Sequence, residues 1–251
     1  MSYLNTVPLI WGMVRGEEQG AVDLSFSFPS VCAAEVAEGV TEVGLVPVAE
    51  IGRQGLEIVA DLGIVAHGAV RSILLISRVP WAKIRSLAAD SSSRTSVQLA
   101  KIVLRERFGV EPVITEESPE WREMLSHSDA ALVIGDPALR IEPEKLPYEH
   151  LDLGAEWNRL TGLPMVFAAW AGKPGIADRG FGDVAVRSYQ FGMSHLTEIL
   201  SLECGKRGIS RTLGERYFAE HIQFPLGPGE LEGLRQFWEL SRVATSVALS
   251  H

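Results

Sequence analysis

The feature of this sequence that most restricts its fold is the alternation of short apolar runs with longer stretches of helical character. Runs such as EVGLVPV, VRSILLISR and DAALVIGDPAL have the length of strands and end in polar or turn-forming residues. Stretches such as PSVCAAEVAEG and VQLAKIVLRERFG have helix-forming composition and end at a glycine. This order of elements predicts an α/β protein whose strands are mainly parallel.

The same patterns predict further elements along the chain. PLIWGMVRG is predicted as a short helix that ends near Gly16, and VDLSFSF, in which apolar and polar residues alternate, is predicted as a strand. From about residue 183 onward the pattern is almost wholly helical, with a break at QFPLGPGE. Because the strands end in polar loops, functional groups are expected at the carboxyl edge of the sheets, where open α/β sheets bind ligands.

The net charge of the chain restricts the partners that it can bind. The chain contains 23 Lys and Arg against 32 Asp and Glu, which gives a formal net charge of −9. This balance argues against binding to nucleic acid or to an anionic membrane, because such binding depends mainly on neutralising phosphates. A small anionic ligand remains compatible, because a few oriented donors in a cleft can outweigh a diffuse negative field.

Several sequence signals for location and cofactors are absent. The sequence has no apolar run of about 18 residues and no basic segment followed by an apolar one, so we expect a cytoplasmic protein that does not span a membrane. Cys32 and Cys204 lack CxxC spacing and are predicted to be packing residues in a reducing compartment. The six histidines lack ligand spacing, and GxGxxG, GxxxxGK[ST] and GxSxG are absent, so no metal and no cofactor are expected.

The stretch DSSSRTSVQLAKIVLRE, residues 90–106, places hydroxyl groups directly ahead of a predicted helix. Free N–H groups at the helix start, together with Ser93, Thr95 and Ser96, would form a site for a carboxylate or a phosphate. Alternatively, one of these residues is an N-cap and the others belong to a solvated loop. Arg94 would either pair with an anion or brace the loop against an acidic residue, and we favour bracing.

Two further stretches place polar residues next to apolar strands. Ser72 lies near the start of VRSILLISR, where it either faces a cleft or bonds to backbone. Gly135 and Asp136 follow the buried run in VIGDPAL, as cleft-lining residues often do. The alternative for Asp136 is a local turn, which is the commoner use of Asp-Pro.

With these residues described, the chain resembles the chorismate dehydratase family of the futalosine route to menaquinone. The resemblance extends in order from residue 2 to about residue 172 and is carried by six blocks, in which the SYLNT and SSRTS cores are nearly identical. These blocks are SYLNTVPLIWGM, PSVCAAEVAEGVTEVGLVPVAEI, VRSILLISR, DSSSRTSVQLAKIVLRERFG, AALVIGDPALR and DLGAEWNRLTGLPMVFAAWA.

The resemblance implies an α/β fold with two lobes, like the type II periplasmic binding proteins, and a ligand cleft between the lobes. Each lobe would contain a mixed, mainly parallel sheet flanked by helices. Lobe one would be discontinuous and comprise residues 1–74 and 170–251, and lobe two would be the inserted segment 75–169. The two chain crossings would lie near SILLIS and VFAAWA.

The implied reaction is loss of water from chorismate, which gives 3-[(1-carboxyvinyl)oxy]benzoate, and the implied enzyme class is a hydro-lyase. In the family SYLNT follows the first strand of lobe one, and Asn5 reaches into the cleft. Asn5 and Ser72 are therefore the candidate catalytic residues. The candidate substrate-binding residues are Ser93, Thr95, Ser96, Gly135 and Asp136. The implied partner is chorismate alone, and the sequence does not define an oligomeric state.

Two alternative functions on the same fold remain open. One is a cytoplasmic protein that binds a small anion without converting it. The other is the sister cyclase of the same route, which forms a dihydroxynaphthoate; it opens with Ser-Pro-Cys-Pro-Asn-Asp and uses a histidine. This chain has SYLNT in that place, which favours the dehydratase.

The resemblance also gives an expectation for the N-terminus. Because the first strand of lobe one would precede SYLNT and the sequence starts at Met1, we expect most of that strand to be absent from it. Either a start site assigned too late or a shortened chain would account for this.

Overall fold

Most of the apolar runs in the sequence form strands in the computed structural model, which describes residues 3–90, 94–176 and 180–241. The runs at 73–77 and 130–134 are apolar on both faces because these two strands are buried on both faces. The strands in chain order are β1 (Val43–Pro47), β2 (Glu57–Ala66), β3 (Ile73–Ser77), β4 (Ser86–Asp90), β5 (Val113–Glu117), β6 (Ala130–Ile134), β7 (Glu149–Asp152), β8 (Met165–Gly172) and β9 (Gln223–Pro225).

Three helices lie where the sequence predicts them, at 7–15, 29–38 and 94–108, and the part from residue 181 to 241 is largely helical as expected, whereas the helices at 48–54, 135–139 and 153–161 were not predicted. In chain order the helices are α1 (Val7–Arg15), α2 (Pro29–Glu38), α3 (Val48–Gln54), α4 (Arg94–Phe108), α5 (Trp121–His127), α6 (Gly135–Leu139), α7 (Leu153–Thr161), α8 (Phe181–Ser194), α9 (Leu196–Glu203), α10 (Arg211–Arg216) and α11 (Pro228–Ser241). A 3₁₀ turn (Leu4–Thr6) precedes α1, and a π-helical turn (Tyr217–His221) follows α10.

Local sequence signals explain where these helices begin and end. Pro8 and Pro29 lie in the first turns of α1 and α2, where the missing N–H group costs nothing. Gly39 ends α2 in the left-handed conformation at φ +82°. The Asp152 carboxylate caps α7 by accepting a hydrogen bond from the N–H group of Ala155.

The strands form two sheets with different ladders. Sheet I has the order β1-β8-β2-β9, and sheet II has the order β5-β4-β6-β3-β7. The parallel ladders that the strand–helix alternation predicts are those of β4 with β5 and β6 in sheet II. All described ladders of sheet I are antiparallel, because β8 runs between β1 and β2 in the opposite direction. The fold class, a two-sheet α/β arrangement with flanking helices, is confirmed. The expectation that each sheet is mainly parallel is wrong, because all described ladders of sheet I are antiparallel and, in sheet II, those of β3 with β6 and β7 are antiparallel too.

The prediction of a strand at VDLSFSF is wrong. Residues 23–28 have no regular secondary structure. β1 pairs with β8 on one side, and among the described residues no strand pairs with its other side. Alternating side chains indicate only which faces are buried, whereas a strand also needs a neighbouring backbone to bond with.

The core lies on both faces of sheet II. In β3, Ile73 and Leu75 belong to the large apolar cluster that continues into sheet I, while Leu74 and Ile76 belong to a smaller cluster on the opposite face.

Sheet I contains β1, β2, β8 and β9, and sheet II contains the strands from β3 to β7. The division into lobes 1–74 plus 170–251 and 75–169 stays a prediction. Within the described ranges, every helix is too short or too polar to cross a bilayer.

Candidate functional site

A cavity of about 210 Å³ collects residues from several distant parts of the chain. One group of its polar residues lies in or next to the N-terminal 3₁₀ turn and beside the ends of elements of sheet II: Tyr3, Asn5, Thr6, Ser72, Ser96 and Gly135. Its apolar wall includes Ile10, Met13, Leu45, Phe167, Trp170 and Phe181. Four of the seven predicted site residues, Asn5, Ser72, Ser96 and Gly135, therefore line one cavity.

The register of sheet II brings Ser72 and Gly135 together. β3 and β6 are antiparallel, and Ile73 lies opposite Ile134, so the residue before β3 meets the residue after β6. The N–H group of Gly135 donates to the Ser72 carbonyl oxygen at 2.7 Å. Ser96 reaches the same edge because α4 follows β4, which runs parallel to β6.

The backbone around Ser72 is held in a strained conformation. Arg71 has φ +62° and is the one described non-glycine residue with a positive φ. The Asp152 carboxylate accepts the N–H groups of Val70 and Arg71 at 2.9 and 2.6 Å. The Arg71 guanidinium donates to the carbonyl oxygens of residues 138, 139 and 141. These contacts stabilise a conformation that a side chain rarely adopts, directly beside a candidate catalytic residue.

Tyr217 connects the two candidate catalytic residues. The Asn5 side-chain amide donates through Nδ2 to the Tyr217 hydroxyl at 3.2 Å, and that hydroxyl donates to Ser72 Oγ at 2.8 Å. Tyr217 is fully buried, and burial raises the pKa of its phenol far above the usual value. Tyr217 was not predicted from the sequence. In the sequence it is one tyrosine in a helical stretch without any other signal of a site, and its hydrogen-bond partners lie 145 and 212 residues away in the chain.

The Asp136 carboxylate has partners within the protein. It accepts the N–H group of Leu4 at 2.9 Å and pairs with Arg207 Nε at 3.1 Å. Burial raises the pKa of this carboxyl, and the Leu4 N–H group and the Arg207 guanidinium oppose that shift. Asp136 is not among the residues that line the cavity. Through its hydrogen bond with the Leu4 N–H group it anchors the 3₁₀ turn that carries Asn5. Its contact with a substrate stays a prediction.

The hydroxyls of the SSRTS stretch do not share one role. Ser96 is 1% exposed and lines the cavity. Thr95, also buried, accepts the N–H group of Ala49 at 3.2 Å through Oγ1 and does not line the cavity. Ser93 lies outside the described residues. Arg94 forms an ion pair with Glu116, so the expected bracing role is confirmed.

Acidic and sulfur groups also face the cavity. Asp23, Glu35 and Cys32 line it, whereas no Lys, Arg or His does so among the described residues. Burial and the nearby Glu35 carboxylate raise the pKa of the Cys32 thiol, so it is not an activated nucleophile. Cys32 and Cys204 are both free, as predicted. In the described part of the chain, no group of three His, Cys, Asp or Glu side chains has the arrangement of metal ligands.

Trp170 adds a donor that the sequence analysis did not identify. It lines the cavity, is 5% exposed, and its indole N–H group has no hydrogen-bond partner among the described residues. A buried N–H group without a partner is rare and costly. The cavity therefore combines neutral donors with an aromatic wall, which is suited to a planar ligand with oxygen acceptors.

Sequence comparisons relate the chain to enzymes with known names. A family model described as menaquinone biosynthesis matches residues 1–242. The chain is 28% identical over 206 residues to the chorismate dehydratase of Thermus thermophilus, a match that covers 74% of each protein. It is also 34% identical over 111 residues to the chorismate dehydratase of Campylobacter jejuni, covering 44% of this chain and 36% of that enzyme.

Structural comparisons relate the fold to binding proteins. A crystal structure of a protein from Archaeoglobus fulgidus matches with a TM-score of 0.75 and 15% identity, covering 96% of this chain and 94% of that one. The alkanesulfonate-binding protein of Xanthomonas axonopodis, bound to MOPS, matches with a TM-score of 0.66 and 12% identity, covering 97% and 92%. The fold is therefore periplasmic-binding-protein-like.

Proposed function

Because the chain belongs to the menaquinone biosynthesis family, we propose that it is a hydro-lyase that converts chorismate to 3-[(1-carboxyvinyl)oxy]benzoate. Two of its relatives are named chorismate dehydratase, which supports loss of water from chorismate as the reaction. This product would then be used in the futalosine route to menaquinone. The observation that carries the proposal is the convergence of Asn5, Ser72 and Ser96 on one cavity of small-molecule size.

The donors of the cavity suit the recognition of chorismate, which carries two carboxylates. Ser96 lies in the first described turn of α4, where hydroxyl and N–H groups can receive a carboxylate. Ser72 and Asn5 supply further neutral donors. Since Asp23 and Glu35 line the cavity and no described Lys or Arg does, we expect directed hydrogen bonds rather than net charge to hold the substrate. Its affinity should then depend only weakly on salt.

The proton transfer is assigned to the substrate itself. No histidine is among the described residues that line the cavity. A carboxylate of the substrate, rather than the Asp23 or Glu35 carboxylate that also lines the cavity, would take the proton from the ring carbon next to the hydroxyl-bearing carbon. The electrons of that C–H bond form the new ring double bond, the C–O bond breaks, and the departing hydroxide takes the proton to leave as water. The protein holds this geometry and stabilises the developing charge on oxygen.

Incubating the purified protein with chorismate tests the proposal. Ultraviolet and proton NMR spectra should show loss of the cyclohexadiene and appearance of an aromatic product. Binding of chorismate without conversion would indicate a small-anion binding protein instead. If chorismate is neither bound nor converted, the proposal is contradicted, and the sister cyclase is left as the alternative.

Single substitutions test the assignment of roles. Asn5→Ala and Ser72→Ala should each lower kcat about 100-fold, as loss of one oriented donor does. Replacing each histidine by alanine in turn serves as the control and should leave turnover intact. A folded histidine variant without activity would contradict the substrate-assisted mechanism.

A further inference from the structure

We propose that Tyr217 is a positioning residue, which fixes the Ser72 hydroxyl so that its proton points at an oxygen atom of the ligand. This inference rests on the proposed function, because it assigns a direction to one hydrogen bond of that site. It concerns a residue that acts through Ser72 rather than on the substrate.

The first step of the argument is the hydrogen-bonding capacity of the Tyr217 hydroxyl. A phenol has one proton to donate and accepts through its oxygen. The Asn5 amide donates to this oxygen at 3.2 Å, so the phenol acts as acceptor toward Asn5. Tyr217 is 0% exposed, and its own proton therefore needs a partner within the protein. Among the described residues that partner is Ser72 Oγ, at 2.8 Å.

The second step concerns the proton of Ser72. With its oxygen accepting from Tyr217, the Ser72 hydroxyl keeps its own proton to donate, and no described residue accepts it. Ser72 is 2% exposed and lines the cavity, so a ligand in the cavity is the available acceptor. A carboxylate, or the ether or hydroxyl oxygen of the substrate, has the required lone pair.

The third step concerns the contacts that restrict the motion of Ser72 and Tyr217. The backbone of Ser72 is held on both sides, by the Asp152 carboxylate ahead of it and by the Gly135 N–H group on its carbonyl oxygen. What remains free is the rotation of the hydroxyl, and Tyr217 restricts that rotation. Tyr217 begins a π-helical turn, a conformation that often occurs at functional sites. Because burial raises the pKa of the phenol, it keeps its proton and can donate at neutral pH.

A double-mutant cycle in kcat tests the inference. Tyr217→Phe keeps the ring and its packing, and it should lower kcat about 10-fold while the dissociation constant for chorismate changes little. In the Ser72→Ala background the same substitution should have a much smaller effect on kcat, because Tyr217 acts mainly through Ser72; the effect that remains reports the lost acceptor for the Asn5 amide. Tyr189→Phe is the control, since Tyr189 is a partly buried tyrosine of the C-terminal part that does not line the cavity. It should leave kcat unchanged. An additive loss in the double variant, or full activity of Tyr217→Phe, would overturn the inference.

A second measurement does not depend on turnover. The Tyr217 hydroxyl proton is shielded from water and should give a slowly exchanging downfield proton resonance, absent in Tyr217→Phe. Ser72→Ala should shift this resonance upfield, because the acceptor is removed. A resonance that is unchanged in Ser72→Ala would refute the inference, even if the wild-type protein failed to convert chorismate. That failure alone would refute the proposed function.

Discussion

Gly135 lies at φ +63° between the Ser72 backbone and the ring of Tyr3. A Cβ atom at this position would lie 2.4 Å from the Tyr3 ring, which is closer than any real carbon–carbon contact. The glycine therefore serves two purposes: it permits the left-handed turn after β6, and it leaves space for the aromatic ring that precedes Asn5. At the scale of the residue, the shape of the cavity depends on the absence of one methyl group.

Gly135→Ala should therefore lower the free energy of unfolding by about 2–4 kcal/mol, from backbone strain together with the clash against Tyr3. It should also lower kcat, because displacement of Tyr3 moves Asn5. Gly162→Ala is the control: Gly162 has φ +73° but open space around it, so strain alone should cost about 1 kcal/mol. Urea unfolding measures both changes. Equal losses in the two variants would contradict the role given to Tyr3.

At the scale of elements, α1 is held in place by close contact with α8. Cβ atoms at Gly12 and Gly192 would lie 2.4 Å from Ser188 Cα and 2.0 Å from the Pro8 carbonyl oxygen. Ser188 is 0% exposed; its hydroxyl donates to the Leu9 carbonyl oxygen at 2.9 Å. The same hydroxyl oxygen accepts the Met13 N–H group at 3.1 Å. Because α1 directly follows the 3₁₀ turn with Asn5, the contact between these helices supports the candidate site.

Gly192→Ala should force the two helices apart and lower the free energy of unfolding by about 2–4 kcal/mol. Gly229→Ala, in the first turn of α11, is the matched control, because nothing lies near its Cβ position and alanine favours a helix. It should raise stability by about 0.5–1 kcal/mol. Thermal and urea unfolding give both values. Equal stabilities of the two variants would show that the helices do not require this close approach.

At the scale of the whole molecule, the cavity joins parts of the chain that are far apart in sequence. Asn5, Ser72 and Tyr217 form one hydrogen-bonded chain, and Ser96 and Gly135 line the same space. A ligand that binds there contacts the N-terminal turn and sheet II at once. Binding should therefore stabilise several distant segments together.

Hydrogen exchange in the presence of 3-[(1-carboxyvinyl)oxy]benzoate tests this expectation. Amide exchange should slow together in residues 3–10, 70–73, 94–100 and 134–136. The helix α5 (Trp121–His127) contributes no residue to the cavity and serves as the internal control. Protection confined to one of the four segments would contradict a shared site.

The sequence predicts the elements better than it predicts the contacts between them. The order of strands and helices follows from local patterns, and the resemblance points to Asn5 and Ser72. Tyr217 escaped prediction because its partners are 145 and 212 residues away, and no local pattern encodes such a contact. For the same reason, the ion-pair partner of Asp136 could not be predicted from the sequence of the turn that contains Asp136. Its ion pair with Arg207 depends on how the C-terminal helices pack.

The VDLSFSF stretch illustrates a different limit. Its alternation is a valid strand pattern, but β1 is the edge of sheet I among the described residues, and residues 23–28 do not pair with it. Propensity describes one chain segment, whereas a ladder requires two. The loop that results lines the cavity instead, with Leu24 and Phe26 among its lining residues.

The side of β1 that no strand covers within residues 3–90, 94–176 and 180–241 has a practical consequence for handling this protein. Backbone N–H and C=O groups along a strand without a partner attract the edges of other molecules, and Phe26, at 57% exposure, adds apolar surface in the loop that lines the same cavity as β1. Self-association should therefore grow with concentration during purification and storage. Lysine residues beside exposed edges are the protection that natural sheets commonly use, and an engineered lysine here would keep samples monodisperse.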